Sequence, residues 1–443
     1  MLLTLFLFLA LGAGDNATAW SSFRNGGASR TEARHLPRVW SPKKGISWNI
    51  DLPGYGQSAP VVWNQQVFVT AIEGENKEKN LVLAFDTKTG KQLWRHETNS
   101  SQPSEAVYTV SRAAPTPVVD TNSLYVFFES GDLMALSHAG KPRWQRSLTK
   151  EYGPFQNGHG IGTSPAQTKD LLLLLIEDRG GSYLMAVDKK TGKNRWRVTR
   201  KARMSWTSPV IAGGSIKEQV IVSSGGEVQG YDVMTGELLW TLDGLSGNNI
   251  PSATVVGDRV YIGASRSRRA TESTATLPSN CCLRLVEKEG KPGYEVLWRA
   301  DGVACDYASP VVHQGYVYYI NPAGVLFCVD AETGKQCYAE RIDGACWATP
   351  VAAGDILYCF GKNGMTTLVK IGPTFEKVAS NALWNRDNPP KTNLNFLPKA
   401  NANGKPSPPI QDDYLDPIVY GVAAVEGAIF VRTGTQLYAI RLR

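Results

Sequence analysis

The 443-residue sequence predicts an all-β fold, an eight-bladed β-propeller of four-stranded antiparallel blades closed by an N-terminal strand pairing in the last blade. Three observations carry that prediction. An element ending in Trp recurs at a period near fifty residues. A Ser/Thr-Pro-Val element opens each period, and the two chain ends hold complementary fragments of one further unit.

The recurring element is clearest at Ala84-Phe85-Asp86-Thr87-Lys88-Thr89-Gly90-Lys91-Gln92-Leu93-Trp94. It returns as Ala186-Val187-Asp188 with Gly192 and Trp196, as Tyr231-Asp232 with Gly236 and Trp240, and as Val329-Asp330 with Gly334 and Tyr338. Weaker copies end at Trp144, Trp298 and Trp384. Asp accepts backbone N–H bonds two residues on and Gly supplies the positive φ that closes a hairpin, so these are turn residues. The Trp falls on the outermost strand, where a flat ring can cover the neighbouring unit. The opening element appears as Ser58-Ala59-Pro60-Val61, Thr116-Pro117-Val118, Ser164-Pro165, Ser208-Pro209-Val210, Ser309-Pro310-Val311 and Thr349-Pro350-Val351. Between the two lie β-branched and aromatic runs such as Val67–Thr70 and Tyr316–Tyr319. A four-stranded unit cannot bury both faces alone, and radial repetition lets each cover the next.

Eight outer strands are marked by Trp48, Trp94, Trp144, Trp196, Trp240, Trp298, Tyr338 and Trp384. The first, around Ile46–Ile50, has no opening strand before it, and the last unit, from Tyr420 to Arg441, has no Trp strand after it. Each end supplies what the other lacks, which favours eight blades over seven. Two segments interrupt the repeat, 264–280 inside the fifth blade and 385–416 between the last two, and both read as loop insertions in one domain spanning 20–443.

Leu2–Leu11 is an apolar run too short to span a bilayer, followed by Ala17-Thr18-Ala19, so residues 1–19 read as a signal peptide cut before Trp20. The product is expected to be exported, periplasmic or secreted, not membrane-spanning, and a monomer. Lys and Arg exceed Asp and Glu by 47 to 40, a spread-out excess that calls for no nucleic acid. The seven Cys lie between Cys281 and Cys359, an odd number with no C-x-x-C pair, which excludes a zinc ribbon or thioredoxin motif. No H-E-x-x-H or G-x-S-x-G occurs, and no catalytic residue or metal ligand is assigned. The local acidic groups, Glu177-Asp178 and Asp412, Asp413 and Asp416, read as solvated loop charges.

The Ala-x-Asp-x-x-Thr-Gly-Lys-x-x-Trp element resembles the repeat of pyrroloquinoline-quinone (PQQ) type propellers, the quinoprotein alcohol dehydrogenase-like superfamily, over about the whole mature chain. Two branches of that superfamily imply different functions. The dehydrogenases bind PQQ with calcium at the propeller axis, under a pair of adjacent cysteines. The BamB-like branch is non-catalytic and presents the ring as a binding surface. Gly361–Thr367, Tyr420–Val425 and Arg432-Thr433-Gly434 also resemble an uncharacterised group of exported bacterial proteins with such repeats. Cys281-Cys282 is adjacent too, but it falls at the start of a third strand in a late blade. There neighbouring side chains point to opposite faces, so it reads as two unrelated thiols.

Residues just before each opening strand ring one mouth of a propeller channel. Here they are Tyr55 and Gln57, Arg112, His159, Trp206, Asn249, Tyr307, Trp347 and Tyr420, a mostly aromatic and polar set suited to a planar ligand or a peptide. The sequence therefore points to a non-catalytic binding or scaffolding propeller without a cofactor, contacting an unidentified protein or envelope partner through its loops and mouth. The alternatives are a PQQ- and calcium-dependent dehydrogenase, and a carbohydrate-binding propeller acting through Trp206, Trp347 and Tyr307.

Overall fold

The computed structural model describes residues 17–105, 109–214, 216–265, 278–391 and 417–442. These residues form eight sheets with a four-stranded meander each. Blade 1 comprises Val61–Trp63, Gln66–Glu73, Lys79–Asp86 and Gln92–Asn99. Blade 2 runs from Val118–Val119 to Pro142–Ser147, blade 3 from Ala166–Gln167 to Asn194–Arg200, and blade 4 from Val210–Ala212 to Leu238–Leu242. Blade 5 runs from Thr254–Val256 to Lys291–Arg299, blade 6 from Val311–His313 to Gln336–Arg341, and blade 7 from Val351–Ala353 to Lys377–Ala382. Blade 8 takes Val419–Val425, Ala428–Thr433 and Gln436–Arg441 from one chain end and Ile46–Asp51 from the other, with Trp48 opposite Ala439. The closure expected from the two half-units is thus present. Most of the two expected insertions and of the leader (266–277, 392–416 and 1–16) lies outside the described residues.

Apolar burial is arranged in layers between blades. Phe68 and Val82 of blade 1 pack with Val119 and Val126 of blade 2, Leu173 and Leu175 of blade 3 with Val220 and Val222 of blade 4, and Tyr261 of blade 5 with Val317 and Val329 of blade 6. Most second and third strands are covered on both faces, as in Leu171–Ile176, an unbroken apolar run, whereas the far half of Cys281–Lys288 in blade 5 is exposed.

The repeat element owes its composition to contacts across these layers. In the outer strand the aromatic sits beside a register shift and opposite a small residue: Trp94 faces Ala84, Trp144 faces Ala135, Trp196 faces Ala186, Trp240 faces Gly230, Trp298 faces Cys282 and Tyr338 faces Cys328. The Ala of Ala-x-Asp leaves room for that ring. The ring then lies against the turn Gly of the next blade. A Cβ on Gly192 would come within 2.6 Å of Trp144, and one on Gly236 within 2.6 Å of Trp196, and both glycines have positive φ (71° and 77°). The indole N–H closes the contact by donating to the next blade's turn carbonyl: Trp48 to Thr87 O at 3.1 Å, Trp94 to His138 O at 2.8 Å, Trp144 to Lys189 O at 2.9 Å, Trp196 to Val233 O at 2.9 Å and Trp298 to Ala331 O at 3.0 Å. Trp240 departs from this, donating to Gln219 Oε1 within its own blade.

A second set of links runs along the inner edge. The hydroxyl of each opening element accepts the amide N–H of the equivalent residue one blade back: Thr116 from Ala59, Ser164 from Thr116, Ser208 from Ser164, Ser252 from Ser208, Ser309 from Ser252 and Thr349 from Ser309, all at 2.8–3.0 Å. Blade 5 contributes Ser252-Ala253, without the Pro. At the ring closure Gly421 and Ala59 stand in this position, and a Cβ on Gly421 would approach Ala59 Cα at 2.5 Å, so small residues in close apposition replace the hydroxyl there.

One expected strand marker is corrected. Trp384 lies beyond the fourth strand of blade 7, which ends at Ala382, and the position facing Leu368 is held by Ala379. Trp384 packs instead beside Gly364 and 6.1 Å from the Tyr438 ring of blade 8, so it still caps the layer, from a loop.

Ser208→Ala should leave the buried Ser164 amide unpaired and cost about 1–3 kcal/mol by chemical denaturation. The turn aspartates give a pH signature. Hydrogen bonds from Thr89, Thr191 and Thr333 hold Asp86, Asp188 and Asp330 below the usual carboxylate range. A carboxyl with a depressed folded pKa stabilises fully above its unfolded value of about 4 and loses that contribution as pH falls through the lower folded value. The thermal midpoint should therefore drop below about pH 4, and less steeply in Asp188→Asn, whose amide keeps an acceptor oxygen without titrating.

Candidate functional site

The opening strands converge on an axial channel, and the residues ahead of them form its mouth in two arcs. In the first, Tyr307 and Trp347 have ring centroids 5.0 Å apart, Trp347 lies 6.3 Å from Tyr420, and the Tyr55 and Tyr420 hydroxyls are 2.8 Å apart. The Arg112 guanidinium sits over the Tyr55 ring at 3.8 Å, and its backbone N–H donates to Gln57 Oε1 at 2.9 Å. In the second, His159 meets Trp206 edge-on at 5.9 Å, the Trp206 indole donates to Gly160 O at 3.0 Å, and the Trp206 amide donates to Asn249 O at 2.8 Å. The Ser111 amide donates to His159 O at 2.9 Å and joins the arcs. The nine residues expected at the mouth fall into these two groups, with Trp206 apart from Trp347 and Tyr307. His159 and Asn249 are exposed, Trp206 is half-buried and Arg112 is buried. Beside the second arc a pocket of about 400 Å³ opens between Lys77, Glu129, Phe155 and Asn157.

Sequence reasoning missed what enters the channel from the opposite side. Trp20–Thr31 crosses it as a plug and completes the inner edges of several blades. Trp20 exchanges backbone hydrogen bonds with Val62 at 2.9 Å, Ser21 O accepts from Val119 N at 2.8 Å, and Arg30-Thr31 pairs in parallel with Ala352-Ala353. Arg24 reaches blade 5, where Nη1 donates to Thr254 Oγ1 at 2.8 Å and Nη2 to Ala253 O at 2.5 Å. The signal was the twenty-odd residues between the expected cleavage site and the first strand, with Trp20, Phe23 and Trp40 too apolar for a solvated linker. Between plug and mouth remains an axial cavity of about 80 Å³, with Trp20, Phe23 and Arg24 on the plug side and Gln57 and Tyr420 toward the mouth. A second space of about 240 Å³ lies between the plug and blades 3 and 4.

A quinone with calcium does not fit these residues. Both axial spaces fall below the roughly 300 Å³ at which cofactor-sized pockets begin. Cys281 and Cys282 lie in the third strand of blade 5 and belong to different layers, Cys281 facing blade 4 and Cys282 blade 6. Cys282 simply holds the small-residue position opposite Trp298. Among the described residues no group of three or more His, Cys, Asp or Glu side chains is placed to hold a metal ion, and Asp412, Asp413 and Asp416 lie outside them.

Glu177 and Asp178 correct the expectation of solvated loop charges. Both are buried: Glu177 pairs with buried Arg200 at 2.8 Å, and the Asp178 carboxylate accepts the Gln156 amide at 2.8 and 2.9 Å and the Gly180 amide at 3.0 Å. They brace the loop that carries His159.

Burial pushes the Cys281, Cys282 and Cys346 thiols up to about 12, and Cys337 is the exposed member of the seven. The reduced native protein should react with one equivalent of a thiol reagent at neutral pH and with seven after denaturation, read by absorbance.

Solved structures share this architecture. BamB from Moraxella catarrhalis superposes with a TM-score of 0.57 at 12% identity, covering 90% of this chain and 97% of that one. Quinohemoprotein alcohol dehydrogenase from Comamonas testosteroni gives 0.59 at 13% identity (96% and 80%), and a europium-containing methanol dehydrogenase 0.60 at 11% (96% and 98%). At such identities the likeness establishes the fold alone. In sequence, outer membrane protein assembly factor BamB of Burkholderia pseudomallei is 24% identical over 263 residues, 58% of this chain and 60% of that protein's length. The Moranella endobia factor of the same name is 23% identical over 354 residues, 70% of this chain and 84% of its own. The family model described as outer membrane protein assembly factor BamB, with its PQQ-like repeat, matches residues 39–156, 154–276 and 290–415. With most of its length matched, the chain belongs to that BamB family of PQQ-like propellers.

Proposed function

We propose that the chain is an exported scaffold of the cell envelope that holds partner polypeptides at its channel mouth and takes part in the assembly of envelope proteins. The observation that carries this reading is the asymmetry of the channel. The chain's own N-terminal segment occupies the axis from one side, while His159, Trp206 and Asn249 stand at the other beside a pocket of about 400 Å³. An amphipathic aromatic flanked by exposed polar groups and a recess is the composition of a protein-binding hot spot. Family membership supports the same reading, since the relatives are named as assembly factors for outer membrane proteins. Cleavage before Trp20 belongs to it as well, because a cut there leaves the plug from Trp20 to Thr31 intact.

A photocrosslinking residue placed at His159 or Asn249 should trap a discrete envelope protein in living cells, and one at Lys335 on the outer turn of blade 6 should not. Trp206→Ala should lower the mouth crosslinks about tenfold with an unchanged melting temperature. Equal trapping from Lys335, or no product from either mouth position, would overturn the proposal.

A further inference from the structure

Blade 6 is the one blade with cysteine at both positions that meet across its outer hairpin. Cys328 lies in the third strand, Val325–Asp330, and Cys337 in the fourth, Gln336–Arg341. The register shifts between Cys328, which faces Tyr338, and Val329, which faces Gln336. Cys337 is therefore the extra residue of a bulge and stands with Tyr338 opposite Cys328. The two thiols are in side-chain contact, Cys337 acting on Cys328 by charge and by hydrogen bonding. In other blades the same two places pair Ala84 with Leu93, Ala186 with Arg195 and Cys282 with Leu297.

The two thiols differ in access. Cys337 is exposed, with its Sγ 3.9 Å from Lys335 O, and Cys328 is buried, with its Sγ 3.4 Å from Gly372 O of blade 7. Burial, and after it the neighbouring Cys337 thiol, hold Cys328 well above the ordinary thiol range, so a reagent from solvent meets Cys337 first. Cys281 and Cys282, although adjacent in sequence, are both buried and face different layers. An exposed thiol with a second one beside it is the arrangement of an exchange site rather than of two inert core cysteines. Residues opposed across antiparallel strands have Cβ atoms about 4.5–5.5 Å apart and a disulfide needs about 3.5–4.5 Å, a gap that a small shift of an outer strand closes. Blade 6 also gains from the bond. Its outer aromatic is Tyr338, whose hydroxyl is buried without a hydrogen-bond partner, so the rim bond that Trp144, Trp196 and Trp298 make to the next blade is missing here. A cross-link at Cys337 holds in place the strand that lacks it.

We infer that Cys337 and Cys328 form a thiol–disulfide exchange site on the rim of blade 6, with Cys337 attacking, Cys328 resolving and a small-molecule disulfide as the oxidant. The Cys337 thiolate attacks one sulfur of the oxidant and breaks its S–S bond. The released thiolate takes up a proton, and a mixed disulfide remains on Cys337. Cys328 then gives up its proton to water and attacks the Cys337 sulfur, expelling the other half of the oxidant, which is protonated in turn. Two protein thiols lose two electrons and two protons, and the oxidant gains both. The site is independent of what the channel mouth holds.

The test is incubation of the reduced full-length protein with oxidised glutathione, quenching by alkylation, and peptide mapping by mass spectrometry. The expected product is a Cys328–Cys337 cross-link with no glutathione retained, reversed by dithiothreitol. Cys328→Ala, which places there the residue that blades 1 to 3 carry at Ala84, Ala135 and Ala186, should keep glutathione on Cys337. Cys337→Ser should take up none and lose the cross-link. A cross-link between any other two cysteines, glutathione retained on the wild-type chain without a cross-link, or no reaction at all overturns the inference. So does loss of glutathione from Cys328→Ala at the wild-type rate. If a variant does not fold, the map of the wild-type protein decides alone.

Discussion

Everything in this molecule depends on the side-to-side contact between neighbouring blades. A four-stranded meander has two apolar faces, and here both are covered by adjacent meanders, so no blade has a core of its own. Directional bonds fix the spacing that burial alone would leave loose. At the rim the indole N–H of one blade meets a turn carbonyl of the next, and at the hub a hydroxyl of one blade meets an amide of the previous one. Two concentric belts of hydrogen bonds hold the layers at matched radii. That arrangement also explains the closure. A ring with one blade built from both chain ends, Trp48 beside Ala439, makes every layer conditional on the termini meeting.

The parts legible in the sequence were those where one residue type serves one repeated geometry. Asp at the turn, Gly at positive φ and Trp on the outer strand recur because each blade needs them at the same place, and the blade count followed. The hub belt was half legible: Ser or Thr before Pro marked each opening strand, but nothing local says that its hydroxyl reaches a neighbouring blade. Trp384 misled because spacing alone does not distinguish a ring on a strand from one on the loop just past it. Glu177 and Asp178 misled for the opposite reason. Acidic residues beside Gly180-Gly181 look solvated until Arg200 and the Gln156 amide are brought to them from distant positions in the chain. The mouth residues were identified from their place ahead of each opening strand. Their division into two arcs depends on how far each loop leans, which no local pattern encodes.

The plug was hidden because it belongs to no repeat. Its backbone pairs with inner strands whose edges a bare propeller would leave facing the channel, Val62 and Val119 on one side and Ala352 on the other. Unpaired strand edges are costly when buried and hazardous when open, so a segment of the same chain is an economical cover. The same segment determines which chemistry the axis can host. It leaves spaces of about 240 and 80 Å³ along the axis, and it introduces Arg24 where the family resemblance alone gave no reason to expect a charge.

A second buried guanidinium sharpens that point. Arg432, between blades 8 and 1, is fully buried and, like Arg24, is brought down to about 9 by desolvation. It meets Ser58 and the Thr70 carbonyl, and its Nε, like that of Arg24, is unpartnered. Arg432 lies where the hub belt is interrupted, and its donors bind blade 8 to blade 1 through Ser58 and the Thr70 carbonyl. Arg24 has the corresponding duty for the plug, tying it to blade 5 through the Thr254 hydroxyl and the Ala253 carbonyl. Of two similar costs to stability, one is accounted for by ring closure. The other is accounted for by the seating of the plug, whose tie to blade 5 runs through this side chain.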